Sequence, residues 1–287
     1  MIGGTVVSDD QLAMPLEELK LAAKLPLTVF ADKPALYEWL AQYMAGEIRQ
    51  ANREGRPLRW ILPIGPKAHY RRLVELTNQE HLSWKNVWCF HMDEFCDWQG
   101  RWIPSESPYS FRGYAQREIY SNILPELRNP PEQVVFPDPS RIGDYSAAIA
   151  EVGGVDTAFG GFGYRGHVGF NETPETKWTR VGIDELRQGK TRIVQLLDDT
   201  MVALSVRTAG GNSYAVPPMA ITVGMADILA AHRILLITDG GNWKQFILRV
   251  LLLGEPDVRF PVTLCQKHAD CTVYCDQESA IPILPSE

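Results

Sequence analysis

Short apolar runs alternate along this chain with longer stretches in which apolar positions recur every three to four residues. Leu27-Thr-Val-Phe, Leu58-Arg-Trp-Ile-Leu, Val134-Val-Phe, Val155 to Phe159 and Arg233 to Ile237 read as strands. Val87-Trp-Cys-Phe, within Trp84 to Met92, is apolar on both faces, as a parallel strand covered on both sides should be. Between the first two strands the pattern predicts a helix. Asp32 can cap it, Pro34 fits its first turn, and Leu36, Trp39, Leu40, Tyr43 and Met44 share one face. Further helices are expected through Tyr70 to Leu76, from Phe111 to Ile123, from Asp144 to Val152, and up to Val250. Strands alternating with helices predict an α/β fold: a doubly wound, mostly parallel, Rossmann-like sheet flanked by helices. Residues 1–25 form an N-terminal extension with a short helix from Pro15, and residues 26–287 form the α/β domain. Beyond Glu172, Thr191 to Leu196 and Pro218 to Val223 read as strands and Met225 to Ala230 as a short helix. Asp198-Asp-Thr and Arg207 fall in a region that reads as loop. Val262 to Leu264 and Cys271 to Cys275 supply the last elements.

Three strands run into glycine turns. Ile64-Gly-Pro-Lys-Ala follows the second strand, Gly160-Gly-Phe-Gly-Tyr-Arg-Gly-His-Val-Gly-Phe-Asn-Glu follows the run ending at Phe159, and Thr238-Asp-Gly-Gly-Asn-Trp-Lys follows Ile237. Glycine lets a backbone take positive φ and approach a ligand closely. A strand, a glycine turn and a helix together present backbone N–H groups to an anion at the carboxyl edge of the sheet. Lys67 and Lys244 stand at two such helix starts, as anion contacts or as solvated lysines. His167 and Glu172 lie five positions apart, either as proton-moving groups or as parts of a tight turn. Asp93 and Glu94, after the third strand, point to opposite sides if the strand continues. One of them is then placed for chemistry at a strand end, or both serve the following loop.

Composition narrows the classes. With 45% hydrophobic and 22% charged residues, the 287-residue chain is that of a soluble globular protein with ample core. A net charge of −7 argues against a general nucleic-acid binder. Five cysteines, an odd number, argue against a disulfide framework and for a reducing compartment. Cys271 and Cys275 lie near His268 but lack a second ligand pair, so they read as buried thiols and no metal site is expected. There is neither a signal-peptide pattern nor an apolar run approaching the ~18 residues of a membrane span. The expected location is the cytoplasm, with no membrane partner.

In this order, Leu62-Pro-x-Gly, Met92-Asp-Glu-Phe, Ser107-x-Tyr-Ser-Phe, Gly160-Gly-Phe-Gly, Gly166-His-Val-Gly-Phe-Asn-Glu, Ala220-Ile-Thr-Val-Gly and Val273-Tyr-Cys-Asp resemble the glucosamine-6-phosphate deaminase (isomerase) family. That family shares its fold with 6-phosphogluconolactonases, and the Phe-Asn-Glu ending favours the deaminase branch. The resemblance implies conversion of an aminosugar phosphate, such as glucosamine 6-phosphate, to a ketose phosphate with release of ammonia, and no cofactor. It implies a catalytic set in which His167 opens the sugar ring, Glu172 orients His167, and Asp93 moves a proton between C2 and C1. Lys244 matches the family's phosphate lysine, Arg207 stands one position from where the family's phosphate arginine falls, near Val206, and Gly65 and Lys67 of the phosphate loop are further candidate contacts. A small-molecule sugar phosphate is the implied partner, and a homo-oligomer the implied assembly.

The chain also departs from the family pattern. Arg165 stands where the family has Asp, so it is expected to face the substrate or to reshape the pocket. An adjacent guanidinium also disfavours an imidazolium. Gly65-Pro-Lys-Ala replaces Gly-Gly-Thr-Pro, which loses a hydroxyl and a backbone donor while Lys67 adds a full charge. Two alternatives follow: a catalytically weakened sugar-phosphate-binding protein, or a lactonase-type hydrolase. A sugar-sensing regulator would need a DNA-binding module, and an extension of about 25 residues is too short for one.

Overall fold

The computed structural model describes residues 6–174, 178 and 180–285. Its ten strands are β1 (Leu27–Phe30), β2 (Leu58–Leu62), β3 (Val87–His91), β4 (Asp93–Cys96), β5 (Val134–Val135), β6 (Thr157–Gly161), β7 (Arg192–Gln195), β8 (Met219–Thr222), β9 (Arg233–Thr238) and β10 (Cys271–Asp276). Seven form one sheet in the order β1-β10-β9-β6-β2-β3-β5, with every pair parallel. The doubly wound reading therefore holds for the main sheet.

Alternation along the central strands divides the core in two. Trp60 and Leu62 of β2, with Leu235 and Ile237 of β9, pack under the helices Lys33–Glu54 and His69–Gln79. Ile61, Ile234 and Leu236 face the other way, towards Tyr145, Ile149 and the helix Gln245–Leu253. A strand with period two and a helix on each face gives this division directly. Asp32 caps its helix as expected, accepting from the Ala35 N–H at 2.8 Å, and Gly55 ends that helix in the left-handed region. The N-terminal segment packs on the second of these cores. Its helices Asp9–Ala13 and Leu16–Ala22 place Val7 and Leu19 among the buried residues, and the Arg249 guanidinium donates to the Met14 carbonyl.

Three details differ from the sequence reading. First, the chain leaves the main sheet at Met92, and β4 pairs antiparallel with β8, which pairs with β7. This second sheet covers the carboxyl end of the main one, around Phe95, Phe170 and Ala220. Second, the stretch read as loop around Asp198 and Arg207 is a helix, Asp198–Thr208. Val202 and Val206 are exposed on it, so its apolar residues do not mark one buried face and the helical period is blurred. Third, the helix expected from Phe111 to Ile123 is an α-turn (Phe111–Tyr114), a π-turn (Ala115–Ile119) and a 3₁₀ turn (Tyr120–Asn122).

Candidate active site

The loops after β2 and β6 meet at the carboxyl edge of the sheet, and glycine makes the meeting possible. A Cβ at Gly161 would lie 2.5 Å from the Gly65 carbonyl oxygen. At Gly163 it would lie 1.7 Å from His167 Nε2, so the imidazole rests against a bare Cα. Gly169, at φ 60°, leaves room for the Thr222 hydroxyl, which accepts from the Phe170 N–H at 3.0 Å. Asn171 then fastens the end of the loop. Its amide donates to the Val168 and Val223 carbonyls at 2.8 Å each, and its oxygen accepts from Arg192 at 2.7 Å.

This loop brings His167 and Glu172 together. His167 Nδ1 lies 2.6 Å from Glu172 Oε1 in an off-axis contact. Glu172 also accepts from the Thr200 hydroxyl, and from the Leu197 N–H at 3.1 Å. Burial alone would raise the Glu172 pKa. The His167 contact and the Thr200 and Leu197 donors outweigh burial and hold the carboxyl below its ordinary range. Glu172 is thus kept ionised behind the ring.

Asp93 and Glu94 point to opposite sides of β4, and each side has its own job. Glu94 is fully buried and gathers the following loop. It accepts from the N–H groups of Phe95 (2.8 Å), Phe111 (3.0 Å) and Arg112 (2.8 Å) and from the Ser110 hydroxyl (2.8 Å). Arg112 Nε lies 3.3 Å from the same carboxylate. Asp93 instead lines a cavity of about 760 Å³, together with Gly65, Lys67, His167, Arg207 and Lys244. That volume suits a small polar metabolite. Burial, then the nearby Glu94 charge, pushes the Asp93 carboxyl up to about 8.

Three basic side chains line this cavity. Lys67 lies over the Tyr114 ring at 4.8 Å, and Arg207 over Trp243 at 4.0 Å. Lys244 closes the 3₁₀ turn Gly241–Lys244 and is buried, with its ammonium 4.2 Å from the Trp243 ring centre. Burial and then the Arg207 charge push its pKa down to about 7, against the pull of Asp239. Sequence reasoning missed Asp239 and Tyr37, which line the same cavity and are hydrogen-bonded to each other. Asp239 follows β9 directly, in the same glycine turn as Lys244, and that was the available signal.

Arg165 is placed differently from its neighbours in the loop. It does not line this cavity, and its Nε lies 3.2 Å from Asp199 Oδ2 on the helix Asp198–Thr208. Arg165, expected to face the substrate or to reshape the pocket, is thus outside this cavity and ion-paired with the helix. Arg165 and Glu172 border a second cavity on the far side of the loop. Among the described residues no group of three His, Cys, Asp or Glu side chains is arranged to hold a metal ion. All five cysteines are free and buried.

No family model matches the chain. It is 29% identical over 254 residues to a glucosamine-6-phosphate deaminase of Phocaeicola vulgatus, covering 86% of this chain and 89% of that one. A solved structure described as a monomeric glucosamine-6-phosphate deaminase superposes with a TM-score of 0.74 at 25% identity, covering 88% of this chain and 98% of the other. A 6-phosphogluconolactonase from Trypanosoma cruzi shares the fold, with a TM-score of 0.64 at 16% identity over 90% of this chain and 96% of that one. The glucosamine-6-phosphate deaminase of Parabacteroides distasonis is 31% identical over 247 residues, which are 84% of this chain and 85% of that protein, and on this likeness the chain belongs to the glucosamine-6-phosphate deaminase family.

Proposed function

We propose that the protein is a deaminating aldose–ketose isomerase acting on glucosamine 6-phosphate or a close anionic aminosugar. The observation that carries this reading is the convergence of Asp93 and His167 on one cavity that Lys67, Arg207 and Lys244 also line. The cations take the phosphate. His167 takes the proton of the C1 hydroxyl and returns it to the ring oxygen, which opens the pyranose. Asp93 takes the C2 proton while one ammonium proton passes to O1, giving an enolamine, and Asp93 then delivers the C2 proton to C1, leaving an iminium at C2. Water adds there, the C2–N bond breaks, and ammonia leaves with a C2 ketone behind it.

The state of Asp93 fits the substrate. An empty cavity favours its acid form, since its pKa is pushed up to about 8. An aminosugar brings an ammonium at C2, beside the atom to be deprotonated, and a positive charge there favours the carboxylate. The base is therefore switched on by the substrate it acts on. Orientation of His167 by Glu172 belongs to the same proposal.

Ammonia release from a panel of aminosugar phosphates tests the reading, with 6-phosphogluconolactone hydrolysis run in parallel. Release with a ketose phosphate product is the expected result. Lactone hydrolysis without ammonia would assign the chain to the other branch, and sugar-phosphate binding without turnover would make it a binding protein. A cytoplasmic setting is part of the proposal, supported by the five free, buried cysteines. So is a homo-oligomer, with a monomer as the alternative in view of the relative described as monomeric. Sedimentation velocity decides between the two.

A further inference from the structure

The helix Asp198–Thr208 is hidden in the sequence pattern, yet three of its side chains serve the site in different ways. Thr200 is buried and donates to Glu172 Oε1, the same oxygen that His167 Nδ1 approaches. Asp199 pairs with Arg165 of the glycine loop at 3.2 Å. Arg207 lies seven residues after Thr200, two turns along the same face and about 10 Å further on, and lines the cavity with Leu204. Val202 and Val206, on the opposite face, are exposed.

We propose that Thr200 is a positioning residue for His167, acting through Glu172, and that the Arg165–Asp199 pair fastens its helix to the loop carrying His167. A carboxylate behind an imidazole fixes the ring only if the carboxylate is itself fixed. His167 meets Glu172 off-axis, so the ring direction depends on where Oε1 is held. Two groups hold the carboxylate from the helix side, the Thr200 hydroxyl on Oε1 and the Leu197 N–H on Oε2. Both come from the start of the helix that carries Arg207. Arg165 and Asp199 tie loop and helix at a second point, partly exposed, so the strap is weaker and more sensitive to salt than the Thr200 bond. The charge at Arg165 thus has a structural use outside the substrate cavity.

The kinetic arm of the test rests on the deaminase reading, and a titration arm does not. Thr200→Val and Thr200→Ala are made together, because valine also sets a methyl group against the carboxylate, and Thr200→Ser restores the hydroxyl. The hydroxyl-free variants should lose about 10- to 100-fold in kcat with KM unchanged, since Thr200 does not line the cavity. Serine should recover most of the loss. Asp199→Asn should lose less, and the reversed pair R165D/D199R should recover it. In the second arm, protein carrying ¹³C-labelled glutamate is titrated without substrate. Removing the Thr200 donor should move the Glu172 midpoint up, and serine should not. The groups that bear on Glu172 are His167 from the loop and, around the neighbouring cavity, Arg165, Glu185, Arg192, Asp198 and Asp199. Unchanged kcat in both hydroxyl-free variants, a serine variant as slow as alanine, or an unmoved Glu172 midpoint would each overturn the proposal. If the wild type releases no ammonia from any aminosugar phosphate, the function is wrong, and the Glu172 midpoint alone then decides whether Thr200 holds the carboxylate.

Discussion

Asp93 is the residue on which chemistry and stability pull in opposite directions. Its folded pKa, pushed up to about 8, lies above the ordinary carboxyl value, so the folded state binds the proton more tightly than the unfolded chain does. The sign follows: this group destabilises the fold progressively as pH rises from the unfolded pKa to the folded one. Asp93→Asn removes the buried charge and keeps the shape. The variant should melt higher than wild type at about pH 8, with the difference vanishing near pH 4. Thermal melts across that range check it, and an equal or lower melting temperature at high pH would contradict it. Lys244 is the second such residue. Lys244→Met should raise KM by about 10- to 100-fold, the worth of a charged hydrogen bond, with kcat less affected. The sequence made both residues legible, Asp93 at the carboxyl end of an apolar run and Lys244 at a helix start after a glycine turn. Asp239 and Tyr37 were harder to see, since what matters is their mutual contact across more than 200 positions.

At the scale of elements, the glycine loop after β6 is a mould for His167. Gly163→Ala keeps an ordinary backbone conformation but puts a Cβ 1.7 Å from Nε2, so the ring must leave its place. Turnover should fall by about 100-fold while the circular dichroism spectrum stays that of the wild type. Turnover close to wild type would mean that this ring position is not the working one. The parallel strands and their glycine turns were readable because a short apolar run that stops at glycine and gives way to a helical period fits a strand, turn and helix and little else. The second sheet was not, since β4 and β8 are four residues each and pair antiparallel over 120 positions apart. The helix Asp198–Thr208 was hidden by its exposed valines, and with it Thr200 and the partner of Arg165. In the sequence Arg165 stands as a charge with no visible partner, and the fold supplies Asp199 as its counter-charge.

Across the whole molecule, the loops at the carboxyl end of the main sheet bring His167, Lys67 and Lys244 to one cavity, which Asp93 at the start of the second sheet and Arg207 of the helix Asp198–Thr208 also line. Ligand charge then controls the pH response. The acid limb of kcat/KM reports the free protein and should lie near the Asp93 value of about 8. The limb of kcat reports the complex and should lie lower, because the substrate ammonium favours the carboxylate. Coincident limbs in a full pH–rate profile would contradict that account. The most direct test of the central claim is the rate of ammonia release from glucosamine 6-phosphate by wild type and by Asp93→Asn, with sugar-phosphate binding measured on both. The account predicts release by the wild type, a loss of about 10²- to 10⁴-fold in the variant, and similar binding by the two. Equal rates in wild type and variant, or binding by the wild type with no ammonia released, would contradict it.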